Sequence, residues 1–268
     1  MNKTHPIGIF DSGIGGLTVA RAIRKQLPNE KIIYFGDTAH LPYGDKSTEA
    51  IQSYAIKICN LLLEHQCKVI VIACNSASAA AYALVKAYVG SKSKIVNVID
   101  PTVNYISQKY SNKKVGVIGT RKTINSDVYA HKITAKNNTV EVASLATPLL
   151  APMIEEGYYN NTISHTVIEE YLSNDRLDDI QALILACTHY PLIKDEINAF
   201  YHSTIEVLDS ASLVAINVKE SLDAEGLLAI SKNGSDLFFV SDYTDNFNKT
   251  TKLFFERDIE LQEYKLWE

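Results

Sequence analysis

The sequence predicts an α/β fold of two pseudo-symmetric lobes, each a mainly parallel sheet flanked by helices, with a functional site between them. Short apolar runs alternate with segments of three-to-four-residue periodicity, the pattern of strand followed by crossover helix. The first four runs carry few polar residues inside them, as strands covered by helices on both faces do. Two segments recur further along the chain at nearly equal offsets, as related lobes would.

In chain order, the first strand is expected at 7–10 and leads through a glycine-rich turn into Leu17, Ala20, Ile23 and Leu27, which share one helix face. A second strand at 31–35 precedes a polar, turn-rich segment, after which Ile51, Tyr54, Ala55, Ile58 and Leu62 mark the next apolar helix face. Further strands are expected at 69–73, 95–99, 115–118, 140–144, 182–186, 204–208 and 237–241. Sites in such open sheets lie at the carboxyl ends of the strands, and the polar motifs fall there.

The recurrence pairs IGIFDS (7–12) with VGVIGT (115–120), 108 residues on, and IACNS (72–76) with LACTH (185–189), 113 residues on. The second lobe is expected over 100–207, inserted into a first lobe made of 1–99 and 208–268, with breaks near Asp100-Pro101 and Asp209-Ser210. A chain of 268 residues exceeds the usual size of one core, which fits two lobes.

Net charge is −5 with both signs dispersed, and the longest basic cluster, at Lys113 and Lys114, is too short for a nucleic-acid surface. The apolar segment at Ile7 follows only six residues, which leaves no room for a secretion signal, and no run is long enough to span a bilayer. A cytoplasmic protein with no nucleic-acid or membrane partner is expected. Cys59, Cys67, Cys74 and Cys187 show no C-x-x-C spacing, so neither a disulfide scaffold nor a zinc site is expected.

DSGIGG (11–16) follows a strand but has Thr18 at the third glycine position of a dinucleotide fingerprint and no P-loop lysine, which argues against NAD and ATP. What remains is a turn entering a helix, able to hold an anion or simply capped by Asp11 or Ser12. Cys74 and Cys187 each follow an apolar strand and precede an expected helix, where free N–H groups and the helix dipole lower a thiol pKa from about 8.5 toward neutrality. Cys59 and Cys67 read as small core residues.

One thiol with a base suits acyl transfer, whereas two thiols at equivalent places in opposed lobes suit a substrate held between them. One would remove an α-proton and the other deliver a proton to the opposite face, since a tuned thiol can act as base near neutrality and return its proton. His189, two residues after Cys187, and Asp11 could relay protons or orient a substrate ammonium. A carboxylate near a thiol opposes the helix dipole, so the thiolate fraction stays open. Within YFGDTAHLPYG (34–44), Pro42, Tyr43 and Gly44 form an expected turn at the sheet's carboxyl edge, and His40 reads as structural or solvent-facing.

These residues resemble the glutamate racemase family nearly end to end. GIFDSGIGGLTV, YFGDTAHLPYG, VIACNSASA, VGVIGTRKTI, PMIEEG and LACTHYPLI stand in the family's order, followed by FFVSDYTDNF. The resemblance implies Cys74 and Cys187 as the two acid/base residues, assisted by Asp11, Glu155 and His189. It implies glutamate binding by Asp11, Ser12, Tyr43, Gly44, Asn75, Ser76, Thr188 and His189, with further contacts from Thr120 and Thr123. Glu155 is preferred to Glu156 because the motif places a glutamate two residues before Gly157; Ser76 stands where the family commonly has threonine. The resemblance further implies no cofactor, no metal and a role in supplying D-glutamate for peptidoglycan. A homodimer is compatible with it.

Three alternatives stand beside it: a racemase of the same superfamily acting on aspartate, a non-catalytic amino-acid or anion-binding protein whose cysteines merely pack, and a redox protein in which Cys74 and Cys187 form a disulfide. CTHYP favours glutamate over aspartate by resemblance alone. Pyridoxal phosphate is excluded only by resemblance, since its Schiff-base lysine has no reliable short signature.

Overall fold

The computed structural model describes residues 2–243, 251–256 and 258–268. Strands β1 (Ile7–Asp11), β2 (Ile32–Gly36), β3 (Val69–Ile72) and β4 (Lys94–Asn97) form a sheet with two later strands, β9 (Leu237–Val240) and β10 (Leu261–Glu263), in the order β10-β9-β2-β1-β3-β4. Strands β5 (Lys114–Gly119), β6 (Glu141–Ala146), β7 (Ala182–Ala186) and β8 (Glu206–Asp209) form a second sheet in the order β6-β5-β7-β8. Every pairing is parallel. The order 2-1-3-4 of the first sheet is repeated strand for strand in the second, so β1 corresponds to β5 and β3 to β7.

Alternation along the strands sends side chains to two buried layers. Ile7, Ile9, Val69 and Val71 face one core, shared with helix α1 (Leu17–Gln26) and with helix α10 (Ser210–Ala224), while Phe10, Ile70 and Ile72 face another, shared with α2 (Thr48–Glu64) and α3 (Asn75–Val89). The first core continues without a break into Val115, Val117 and Leu183 of the second sheet, so the lobes share apolar packing. Full burial of each such aliphatic side chain contributes about 1.5–3 kcal/mol. The helices close with local signals: Ser47 Oγ accepts from Ala50 N at 3.2 Å at the start of α2.

Strand ends fall within two residues of those expected, and β7 matches at both ends, with one instructive case. Residues 98 and 99, expected as strand, instead open helix α4 (Ile99–Lys109), because Asn97 Oδ1 accepts from both Ile99 N and Asp100 N at 2.9 Å and turns the chain. β10 was not expected; its three residues, LQE, carry one apolar side chain and no alternation to read. Among the described residues, no helix is long and apolar enough to cross a membrane.

Candidate active site

The carboxyl ends of β1, β3 and β7 converge on one cleft. Cys74 follows β3 and is the N-cap of α3: its sulfur accepts from Ala77 N at 3.4 Å, and its S–H donates to Ser12 Oγ at 3.7 Å. Asn75 Oδ1 accepts from Tyr129 Oη at 2.8 Å, which leaves Nδ2 buried with no partner among the described residues. Ser76 Oγ lies 2.9 Å from Thr120 Oγ1, the N-cap side chain of α5 (Arg121–Asn125), so a hydroxyl pair links the lobes.

On the other side, Cys187 Sγ lies 3.6 Å from His189 Nδ1. The far nitrogen, Nε2, lies 2.8 Å from Glu155 Oε1 at the end of α7 (Leu150–Glu155), a close charge pair whose approach is not along the ring N–H. Thr188 Oγ1 donates to Asp11 Oδ2 at 3.2 Å, while Asp11 Oδ1 accepts from Gly13 N at 3.0 Å. The glycine-rich turn therefore holds an anion that belongs to the chain itself. Gly15 has to be glycine for space: a Cβ there would lie 2.6 Å from His189 Cε1 and 2.7 Å from Thr188 Oγ1.

Of the residues singled out from sequence, Ser12, Tyr43, Gly44, Cys74, Asn75, Ser76, Thr120, Glu155, Cys187, Thr188 and His189 line this cleft. Asp11 and Thr123 do not; both are fully buried behind its wall, Thr123 within 3.4 Å of Ser76 Oγ. Pro42, Ala151 and Ala186 complete the lining, and none of the lining residues is a lysine or arginine. All four cysteines are free thiols. Among the described residues, no group of three or more His, Cys, Asp or Glu side chains is placed to hold a metal ion.

The family model for Asp/Glu/hydantoin racemases matches residues 15–216. A glutamate racemase of Chlorobium phaeobacteroides is 41% identical over 255 residues, covering 95% of this chain and 93% of its own. The chain belongs to the Asp/Glu racemase family. Among solved structures of this racemase family, a Francisella tularensis glutamate racemase in complex with D-glutamate superposes with a TM-score of 0.92 at 38% identity, over 99% of both chains. The Thermus thermophilus glutamate racemase in complex with beta-chloro-D-alanine gives 0.88 at 36% identity, again over 99% of both chains.

In this member of the racemase family the two thiols sit in opposite electrostatic settings. Burial, and then the neighbouring Asp11 carboxylate, push the Cys74 pKa up to about 12, only partly offset by Ala77 N–H and Ser12. The balance that the sequence leaves open between helix start and carboxylate falls on the raising side at Cys74, because desolvation and a like charge outweigh the helix N–H groups. At Cys187 the expected helix is displaced: a 3-10 turn, Tyr190–Ile193, comes first and α9 (Lys194–Phe200) begins only after it. Burial opposes charge on His189, yet the neighbouring Cys187 sulfur and Glu155 carboxylate prevail and hold its pKa well above the ordinary value. Burial raises the Asp11 pKa, restrained by His189, the Gly13 and Gly16 amides and Thr188.

Several supporting residues of the racemase-family site were missed from sequence. Tyr34 Oη donates to Gly13 O at 2.7 Å and steadies the glycine turn, and Tyr129 orients Asn75. Asp37, directly after β2, is fully buried and accepts from Tyr43 Oη at 2.6 Å. Its signal was available: an aspartate at the carboxyl end of β2 stands as Asp11 does at the end of β1. His40, read as structural or solvent-facing, bonds Asp37 at 3.0 Å and stacks on Tyr54 with ring centroids 4.1 Å apart, a structural role. Of FFVSDYTDNF, residues 244–247 lie outside the described residues.

Proposed function

We propose that this chain is a cofactor-independent glutamate racemase that interconverts L- and D-glutamate by two-base proton transfer through Cys74 and Cys187. The observation that carries the reading is that the two thiols follow topologically equivalent strands, β3 and β7, and line one cleft from opposite lobes. The lobes are taken as 1–99 with 208–268, and 100–207.

Substrate lies between the sulfurs. A thiolate on one side takes the α-proton, the C–H electron pair is left delocalised into the α-carboxylate, and the thiol on the other side gives its proton to the opposite face of that carbon. Both steps reverse for the other enantiomer. Cys74 is the protonated partner before substrate arrives, held so by burial and then by the Asp11 charge, which an incoming ammonium offsets. His189, held cationic beside Cys187 with Glu155 behind it, stabilises negative charge on that sulfur. The substrate carboxylates meet neutral donors, with Asn75 Nδ2 the clearest because it is buried and unpartnered. Hydroxyls of Ser12, Ser76, Thr120, Thr123 and Thr188, and the Tyr43-Gly44 turn, supply or support the remaining contacts. Sequence resemblance and the liganded relatives support glutamate over aspartate. The product would serve peptidoglycan assembly in the cytoplasm, where free thiols persist.

The test places protein stripped of pyridoxal phosphate with L-glutamate in deuterium oxide, following optical rotation and the α-proton signal, with L-aspartate alongside. Loss of both signals with glutamate is expected. Loss with aspartate alone would move the reading to the aspartate enzyme, and no change with either, from folded and reduced protein, would leave a binding protein.

A further inference from the structure

The Asp37 carboxylate is fully buried yet serves four donors, two from the turn that follows it and two from more than 200 residues away. Oδ2 accepts from Tyr43 Oη at 2.6 Å, and His40 Nδ1 lies 3.0 Å from both oxygens. Oδ1 accepts from Ser241 Oγ at 2.9 Å and from Trp267 Nε1 at 2.8 Å. Tyr43 is the one of these donors whose side chain also belongs to the cleft wall. Its hydroxyl is committed to Asp37, so the carboxylate fixes where its ring and the following Gly44 stand.

Trp267 arrives from the end of the chain. β10 pairs with β9 at the sheet edge, Tyr264 N bonds Val240 O at 2.8 Å, and the tail then crosses the carboxyl ends of the strands. The indole packs edge-on against His40 at 4.5 Å and Tyr54 at 5.4 Å, with Lys57 Nζ 5.0 Å from its ring centre. An aromatic box thereby seals Asp37 from water, which strengthens every bond to its charge.

We propose that Trp267 is a positioning residue for the substrate cleft: its indole N–H fixes the carboxylate that holds Tyr43, so the last strand and its tail brace a wall of the site. The proposal rests on reading that cleft as the substrate site. No other residue of the tail donates to Asp37 among the described residues, and Trp267 is the only tryptophan in the sequence.

Trp267→Phe retains a ring in the box and removes the donor. Loss of one hydrogen bond to a buried charge predicts a rise in KM for glutamate of about tenfold, with kcat changed less than about twofold. A second measurement needs no substrate: the rate at which iodoacetamide labels Cys74, read by mass spectrometry. Cys74 shares the apolar cluster of Tyr43, so a loosened wall makes it label several-fold faster, while Cys59 and Cys67, deep in the same lobe, stay protected. An unchanged Cys74 rate overturns the proposal whatever the kinetics. Equal acceleration at Cys59 and Cys67 overturns it too, as that reports general loosening. If the wild-type protein fails to racemise glutamate, the functional reading falls while the labelling result still decides the role of Trp267.

Discussion

Thr188 reaches behind the cleft wall to Asp11: its hydroxyl, just beyond β7 in the second lobe, donates at 3.2 Å to a carboxylate at the end of β1 in the first. Thr18 Oγ1 bonds back to Thr188 O at 3.2 Å. The charged groups around the two thiols are thus assembled from both lobes, with the carboxylate beside Cys74 anchored partly by the lobe that carries Cys187.

Replacing either sulfur tests the division of labour. Cys74→Ser and Cys187→Ser should each lower racemisation by about 10²–10⁴-fold, the range for loss of a general acid or base. Residual deuterium uptake should come from one enantiomer only, and from opposite enantiomers in the two variants. A single variant that retains the wild-type rate would sink the two-thiol scheme.

Asp11→Asn removes the carboxylate that helps hold Cys74 at about 12. The midpoint of the pH-dependent alkylation of Cys74 should fall, because burial and the weaker influence of Cys187 are then all that oppose the thiolate, while kcat falls through loss of the oriented charge. A midpoint that stays in place would mean that Asp11 exerts no electrostatic hold on this thiol.

His189 links stability to pH with a definite sign. Its folded-state pKa is raised, so the stabilisation it brings is full below the unfolded value of about 6.5 and disappears as pH climbs through the folded value. The Tm advantage of wild type over His189→Gln should be largest in mildly acidic buffer and should narrow toward alkaline pH. An advantage that widens in that direction contradicts the charged imidazole between Cys187 and Glu155.

Gly36→Ala should damage fold and site together. The added Cβ would lie 2.3 Å from Gly13 O, a backbone atom that cannot swing aside and that also accepts from Tyr34. About 3 kcal/mol of stability should be lost, measured by urea unfolding, with kcat/KM falling as the turn around Asp11 is displaced.

The architecture was legible because each strand carries its own signal. VIVI and ALILA are apolar on both faces, and the echo between IACNS and LACTH falls on β3 and β7, which hold the same place in sheets of the same order. The paired cysteines were legible for the same reason. Asp37 and Trp267 were not, since their meaning depends on a contact between positions 230 residues apart, and WE at the chain end carries no period. The buried ion pair of Lys68 with Glu30, 2.6 Å apart, was hidden likewise: each charge alone reads as a solvated side chain. The high pKa of Cys74 escaped because desolvation is a property of the assembled site, whereas the helix start is local.

The tight contact at Gly15 ties the histories of the two lobes together. A side chain gained there would demand change at both 188 and 189, and position 189 cannot shrink without giving up Glu155. Lobes that repeat one topology are therefore no longer free to diverge separately along this seam. Substitutions at 15, 188 and 189 should be inherited as a set.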